Sequence, residues 1–137
     1  MNDILQTRVI VTRVSQKDAH YGGGVVDGAF IMRLFGDALT YVTARADSDE
    51  GLLASYRNVT FHNVVRPGDF VSVSVVATET TRLSRTYQLT ATIDVRAGGE
   101  LGTESTATTL EETLVAATAE AKIVIPRAAA RRRETEK

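Results

Sequence analysis

The feature that most limits how this chain can fold is one change in hydrophobic period. After Asp27 the run GAFIMRLFGDALTYVTARA carries its apolar residues at helical spacing, and beyond the polar break DSDEG they recur at every second position. At roughly 100° per residue, Phe30, Ile31, Leu34, Phe35, Ala38, Leu39 and Val42 fill one wide arc, with Arg33, Gly36 and Thr40 opposite. So wide an arc suits a helix wrapped by a sheet better than a helix lying on a surface. Asp27 has the side chain of an N-cap. Asp37 falls at the edge of the arc, beside Phe30 and Tyr41.

The remaining elements are strands. Thr7 to Val14 (TRVIVTRV) is rich in β-branched residues, whereas the polar, glycine-rich stretch Ser15 to Gly24 suits neither a long helix nor a strand. Leu52 to Val65 reads as a strand, and residues 66–69 (RPGD) as a turn in which Pro67 fixes φ and Gly68 permits the bend. Phe70 to Thr78 and Tyr87 to Val95 alternate apolar with polar residues, the pattern of antiparallel strands buried on one face. A last strand covers Leu114 to Ile125 and is stopped by Pro126. The fold class is therefore α+β, one long helix against a curled antiparallel sheet, in a single domain over residues 1–126. Residues 127–137 (RAAARRRETEK) are expected to form a basic, disordered tail, its arginines either solvated or in contact with a phosphate.

Composition narrows the function classes. A chain of 137 residues is long enough to bury a core. A net charge of −1 gives no reason to expect nucleic acid or an anionic membrane as partner. The absence of cysteine excludes disulfides, thiolate metal sites and a cysteine nucleophile. Two histidines without ligand spacing do not make a zinc site, and the glycines at 22–24 and 28 lie in no βαβ unit, so they are not a nucleotide fingerprint. The N-terminus lacks the layout of a signal peptide and no stretch has the length of a membrane span, so a soluble cytoplasmic protein is expected. On that expectation the Asn58-Val59-Thr60 sequon would stay unglycosylated.

The order strand, long helix, four strands is similar to the hotdog fold, in which a sheet wraps a central helix. The segment Asp18 to Ala29 (DAHYGGGVVDGA) resembles the loop and helix entrance of the 3-aminobutyryl-CoA and β-alanyl-CoA ammonia-lyases, and LFGD at 34–37 continues the match along the helix. Asp49-Glu50-Gly51-Leu52 with Ser55-Tyr56, Gly68-Asp69-Phe70 and Ser84-Arg85-Thr86 extend it through the sheet. Residues 62–66 (HNVVR) depart from the family's more neutral, proline-containing sequence. The resemblance implies reversible loss of ammonia from a short 3-aminoacyl-CoA to give an enoyl-CoA. It implies no metal and no organic cofactor, coenzyme A being part of the substrate.

Such an elimination needs a base for the proton next to the thioester carbonyl, donors for the oxygen on which charge builds, and polar groups around the leaving nitrogen. A helix N-terminus supplies the donors. Gly28 and Ala29 stand there, with Gly28 either allowing close approach of the thioester or permitting tight helix–sheet packing. Asp37 is the candidate base, a carboxylate at the edge of an apolar arc being suited to a raised pKa; the alternative is a surface pair with Arg33. His20 and Tyr21 lie in the loop leading to the helix and are candidates to relay a proton or to donate to the oxyanion. Asp18 either attracts the substrate's ammonium or caps its own loop. Ser84, Arg85 and Arg82 mark a hairpin that either lines the acyl and CoA site or is merely solvated, and Glu50 is a second candidate carboxylate.

Two other functions use the same scaffold: an acyl-CoA thioesterase that activates water, and a non-catalytic acyl-CoA-binding module. Open strand edges favour pairing with a second copy. The resemblance implies a homodimer, a hexamer built as a trimer of dimers, and sites shared between subunits.

Overall fold

A computed structural model describes residues 8–135. Strand β1 (Arg8–Arg13) is followed by a 3₁₀ turn (Gln16–Asp18) and by helix α1 (Gly28–Asp47). Strands β2 (Leu52–Phe61), β3 (Phe70–Thr80), β4 (Ser84–Ala97) and β5 (Ala107–Val124) come next, then helix α2 (Arg127–Thr135). The strands form one antiparallel sheet in the order β1-β3-β4-β5-β2.

The period-two positions identified in the sequence build the core. Val71, Val73 and Val75 of β3 lie beside Ile93, Ala91 and Leu89 of β4, and all six are buried. Ala117, Ala119, Ala121 and Ile123 continue the same alternation on β5. Against this surface α1 buries Ile31, Leu34, Phe35, Ala38, Leu39 and Thr43. Full burial of a side chain such as Phe35 or Leu39 contributes about 1.5–3 kcal/mol. The edge strand β2 differs: of its residues only Tyr56 is even half-buried, and Leu52, Leu53, Val59 and Phe61 are exposed. Its pairing with β5 slips between Arg57 and Thr60, where Asn58 adopts a left-handed φ of 54°.

Three boundaries differ from the expectation. Strand β2 stops at Phe61 because His62 and Asn63 both turn their amides onto the Ala116 carbonyl. Strand β5 begins at Ala107, its first residues pairing with Val95–Ala97, in a polar, threonine-rich stretch whose alternation carries no hydrophobic signal. The tail, expected to be disordered over 127–137, is helical as far as Thr135. Alanine is the strongest helix former, and Ala129 and Ala130 are buried. Arg132 donates to the Ser48 carbonyl at 2.8 Å, tying α2 to the end of α1. Residues 136 and 137 of that tail, and Thr7 of the first expected strand, lie outside the described residues. Among the described residues no helix is long and apolar enough to cross a membrane.

Candidate active site at the helix entrance

The loop before α1 is held at two points. The Tyr21 amide donates to the Val25 carbonyl and the Val26 amide to the Val65 carbonyl, at 3.3 and 2.8 Å. Val26 is thereby buried, which fixes where the helix starts. Asp27 is the N-cap, as its position in the sequence predicts, and its Oδ1 accepts from the Phe30 amide at 3.4 Å. Helix geometry leaves the amides of Gly28 and Ala29 without an intrahelical acceptor, at the end of the dipole that favours negative charge.

Those two residues line a cavity of about 520 Å³ together with Tyr21, Asp27, Phe61 and His62. That volume lies within the range of small-molecule sites. His62 and Asn63 reach the cavity because β2 has ended. The His62 Nε2 lies 3.0 Å from the Thr118 hydroxyl, and the Asn63 amide donates to the Val115 carbonyl at 2.7 Å. The segment that departs from the family pattern thus forms one wall of the helix entrance. Gly28 does serve close packing: a Cβ there would stand 2.7 Å from the Phe61 ring. The ring fills the space that the missing side chain leaves.

Of the residues singled out in the sequence, the structure gathers Tyr21, Gly28 and Ala29 around this cavity. His20 stands beside it, exposed, with Nδ1 3.4 Å from the Asp27 carboxylate. The others lie elsewhere in the single chain. Asp18 accepts from the amide and hydroxyl of Ser15, both at 3.2 Å, so it caps the 3₁₀ turn. Asp37, expected at the edge of the buried arc, is on the exposed face of α1. It lies nine residues beyond Gly28, about 13 Å along the axis at 1.5 Å per residue. Among the described residues it makes no pair with Arg33, and Glu50 is also exposed. The Ser84 hydroxyl meets that of Thr81 across the β3–β4 turn at 2.7 Å.

Arg85 is neither on a solvated turn nor free to meet a phosphate. Its guanidinium is buried against Asp47, at the far end of α1 from the entrance, and also donates to the carbonyls of Thr81 and Ser84. This pair forms part of a second cavity, of about 650 Å³, with Arg8, Tyr41, Arg45 and Tyr87. Burial pushes the Tyr87 phenol above its ordinary range, with Thr43 opposing, Asp47 adding to the rise and Arg85 opposing it. A third buried carboxylate, Asp69, accepts from the Arg66 amide at 2.8 Å and from Arg96 Nε at 3.1 Å. It locks the turn before β3 and is structural.

A helix wrapped by a curled antiparallel sheet, with a cavity at its leading end, defines a hotdog-fold protein. The β-alanyl-CoA:ammonia lyase of Clostridium propionicum superimposes with a TM-score of 0.80 at 27% identity, over 88% of this chain and 85% of that one. A hexameric hotdog-fold thioesterase of Campylobacter jejuni superimposes with a TM-score of 0.70 at 15% identity, over 89% and 85%, which establishes the shared fold alone. In sequence, the chain is 46% identical over 77 residues to the 3-aminobutyryl-CoA ammonia lyase of Acetoanaerobium sticklandii. That match spans 56% of this chain and 61% of the relative's length. No family model matches the chain.

Proposed function

We propose that this protein is a carbon–nitrogen lyase that reversibly removes ammonia from a short 3-aminoacyl-CoA, with a 3-aminobutyryl or β-alanyl group as substrate. The observation that carries the reading is the pair of unpartnered amides at Gly28 and Ala29 opening into a cavity beside Tyr21 and the His20–Asp27 pair. The 46% match to an ammonia lyase supports the same chemistry. The thioester oxygen would rest on the helix-start amides. A base takes the proton from the carbon next to the carbonyl, and that electron pair becomes the new double bond. The carbon–nitrogen bond breaks and ammonia leaves. A base and hydrogen-bond donors suffice for these steps, so the reading requires neither metal nor organic cofactor.

Asp37 remains the proposed base, acting from a neighbouring copy. Its carboxylate is on the exposed face of α1 and lines no described cavity of its own chain, so the reading needs a partner to bring it to the entrance of another subunit. Strand β2, an edge with exposed Leu52, Leu53, Val59 and Phe61, is the surface on which a homodimer would form, and a trimer of dimers is the proposed assembly. His20 and Tyr21 assist at the entrance. Substrate-contact roles for Glu50, Ser84, Arg85 and Asp18 would likewise have to be filled across the assembly, and Arg85 and Asp18 are the least suited, both being engaged in their own chain. Working on CoA thioesters, the protein is proposed to be cytoplasmic.

The test is to mix the protein with crotonyl-CoA or acryloyl-CoA and ammonium and to follow the enoyl-thioester absorbance. Bleaching without release of free thiol is expected. Thiol release in its place would make the protein a thioesterase, and saturable binding without either signal would make it a binding module; each result overturns the lyase reading.

A further inference from the structure

The reading above leaves the size of the acyl group open, and one contact bears on it. The para end of the Phe61 ring sits where a Gly28 side chain would be, with ring atoms 2.7, 2.9 and 3.2 Å from that position. Phe61 is the last residue of an edge strand, and its ring borders the cavity directly beside the helix-start amides. The rest of that cavity is mainly apolar, with Val25, Val26, Ile31, Met32, Val64 and Ala116 in its wall. A carbon chain attached to a carbonyl held on the amides of Gly28 and Ala29 must therefore run out between this wall and the ring.

We propose that the Phe61 ring, seated against Gly28, is the stop that confines the acyl group to the size of a propionyl or butyryl chain. The inference rests on the proposed placement of the thioester at the helix entrance and deepens it by naming the substrate class. Three features fit the role. The ring is rigid and large, so it sets a limit that a flexible side chain would not. It packs against a residue with no side chain, so it reaches the helix backbone itself. It stands with its hydrogen-bearing edge toward the amides, and that edge carries the positive part of the ring quadrupole, which does not oppose a partly negative thioester oxygen. The ring is also 52% exposed, so its removal leaves the buried core intact.

The experiment compares binding of butyryl-CoA, hexanoyl-CoA and octanoyl-CoA, which cannot react by elimination, to the wild-type protein, F61A and F61L. Wild type is expected to favour butyryl-CoA over octanoyl-CoA by at least about tenfold, the lower end of what a hydrophobic pocket achieves for an extra methylene. In F61A that preference should vanish or invert, with F61L between and affinity for free coenzyme A unchanged. Equal preferences in wild type and F61A would overturn the proposal, as would a loss of free coenzyme A binding that matches the loss for every thioester. Should F61A not fold, F61L and F61W decide it: F61W must shift the preference toward shorter chains. The lyase reading is judged separately by ammonium-dependent bleaching. A protein that fails to bleach yet shows the length shift loses the reaction and keeps the gauge, and one that bleaches crotonyl-CoA with no length shift does the reverse.

Discussion

Arg85 and Asp47 form a two-point ion pair closed off from water. Nη2 lies 2.7 Å from Oδ1 and Nε 3.1 Å from Oδ2, with the two side chains 5% and 1% exposed. The pair joins the last residue of α1 to the start of β4 and so pins the end of the helix to the sheet. Attraction at this burial is set against the cost of stripping water from both charges, and that balance is often near zero. Breaking the pair is a different matter, because the surviving charge stays buried without its partner.

Replacing Asp47 with Asn, or Arg85 with Met, should therefore destabilise the fold by about 3–5 kcal/mol. Urea titrations of the two single variants and of a D47L/R85M double variant would measure this. The double variant should recover most of the loss. A double variant as unstable as the sum of the singles would show that the pair contributes net stability.

Tyr87 makes the same corner sensitive to alkali. Its phenol is held above the ordinary value of 10.0, chiefly by burial, with the Asp47 carboxylate adding to the rise. The phenolate is thus disfavoured in the folded chain, and the unfolded chain releases the proton first. Stability from this group is whole below about pH 10 and falls as pH rises through the folded group's higher value. Thermal melts between pH 8 and 11 should show the decline, and Y87F should reduce it. Tyr56, also raised by burial, keeps part of it in place. An alkaline decline of unchanged size in Y87F would remove Tyr87 as a cause.

The sequence carried most of the fold because periodicity reports burial directly. The α1 arc and the alternation of β3 and β4 are visible as residue types, and the N-cap at Asp27 is a local signal. The site was legible only where it is local too: Tyr21, Gly28 and Ala29 lie within one short stretch and meet at one cavity. Phe61 and His62 join them through a strand end set by the Ala116 carbonyl, a long-range contact that no pattern in residues 52–65 announces. The placement of Arg85 was misjudged for the same reason. Its partner Asp47 sits 38 positions away, and a buried arginine at a hairpin looks identical in sequence to a solvated one. The α2 helix was missed because its arginines masked two alanines that pack inward.

Asp37 offers a prediction in which function and assembly are tested together. Its carboxylate lies on the exposed face of α1, about two and a half turns from the helix entrance at 3.6 residues per turn. If it is the base, it serves an entrance on another copy. D37N should then reduce turnover by at least about a hundredfold, the lower end of what a positioned acid or base contributes. Y21F, altered at the entrance itself, should also be impaired. Mixing the two variants under conditions that exchange subunits gives dimers in which one site carries both changes and the other carries neither. Random exchange in a two-fold assembly places half the subunits in such hybrids, so activity should return to about a quarter of wild type. Activity no greater than the average of the two parents, with exchange verified by mass, would show that Asp37 and Tyr21 do not meet across an interface. The base would then have to come from the entrance of the same chain, where His20 and His62 are the groups that titrate near neutral pH.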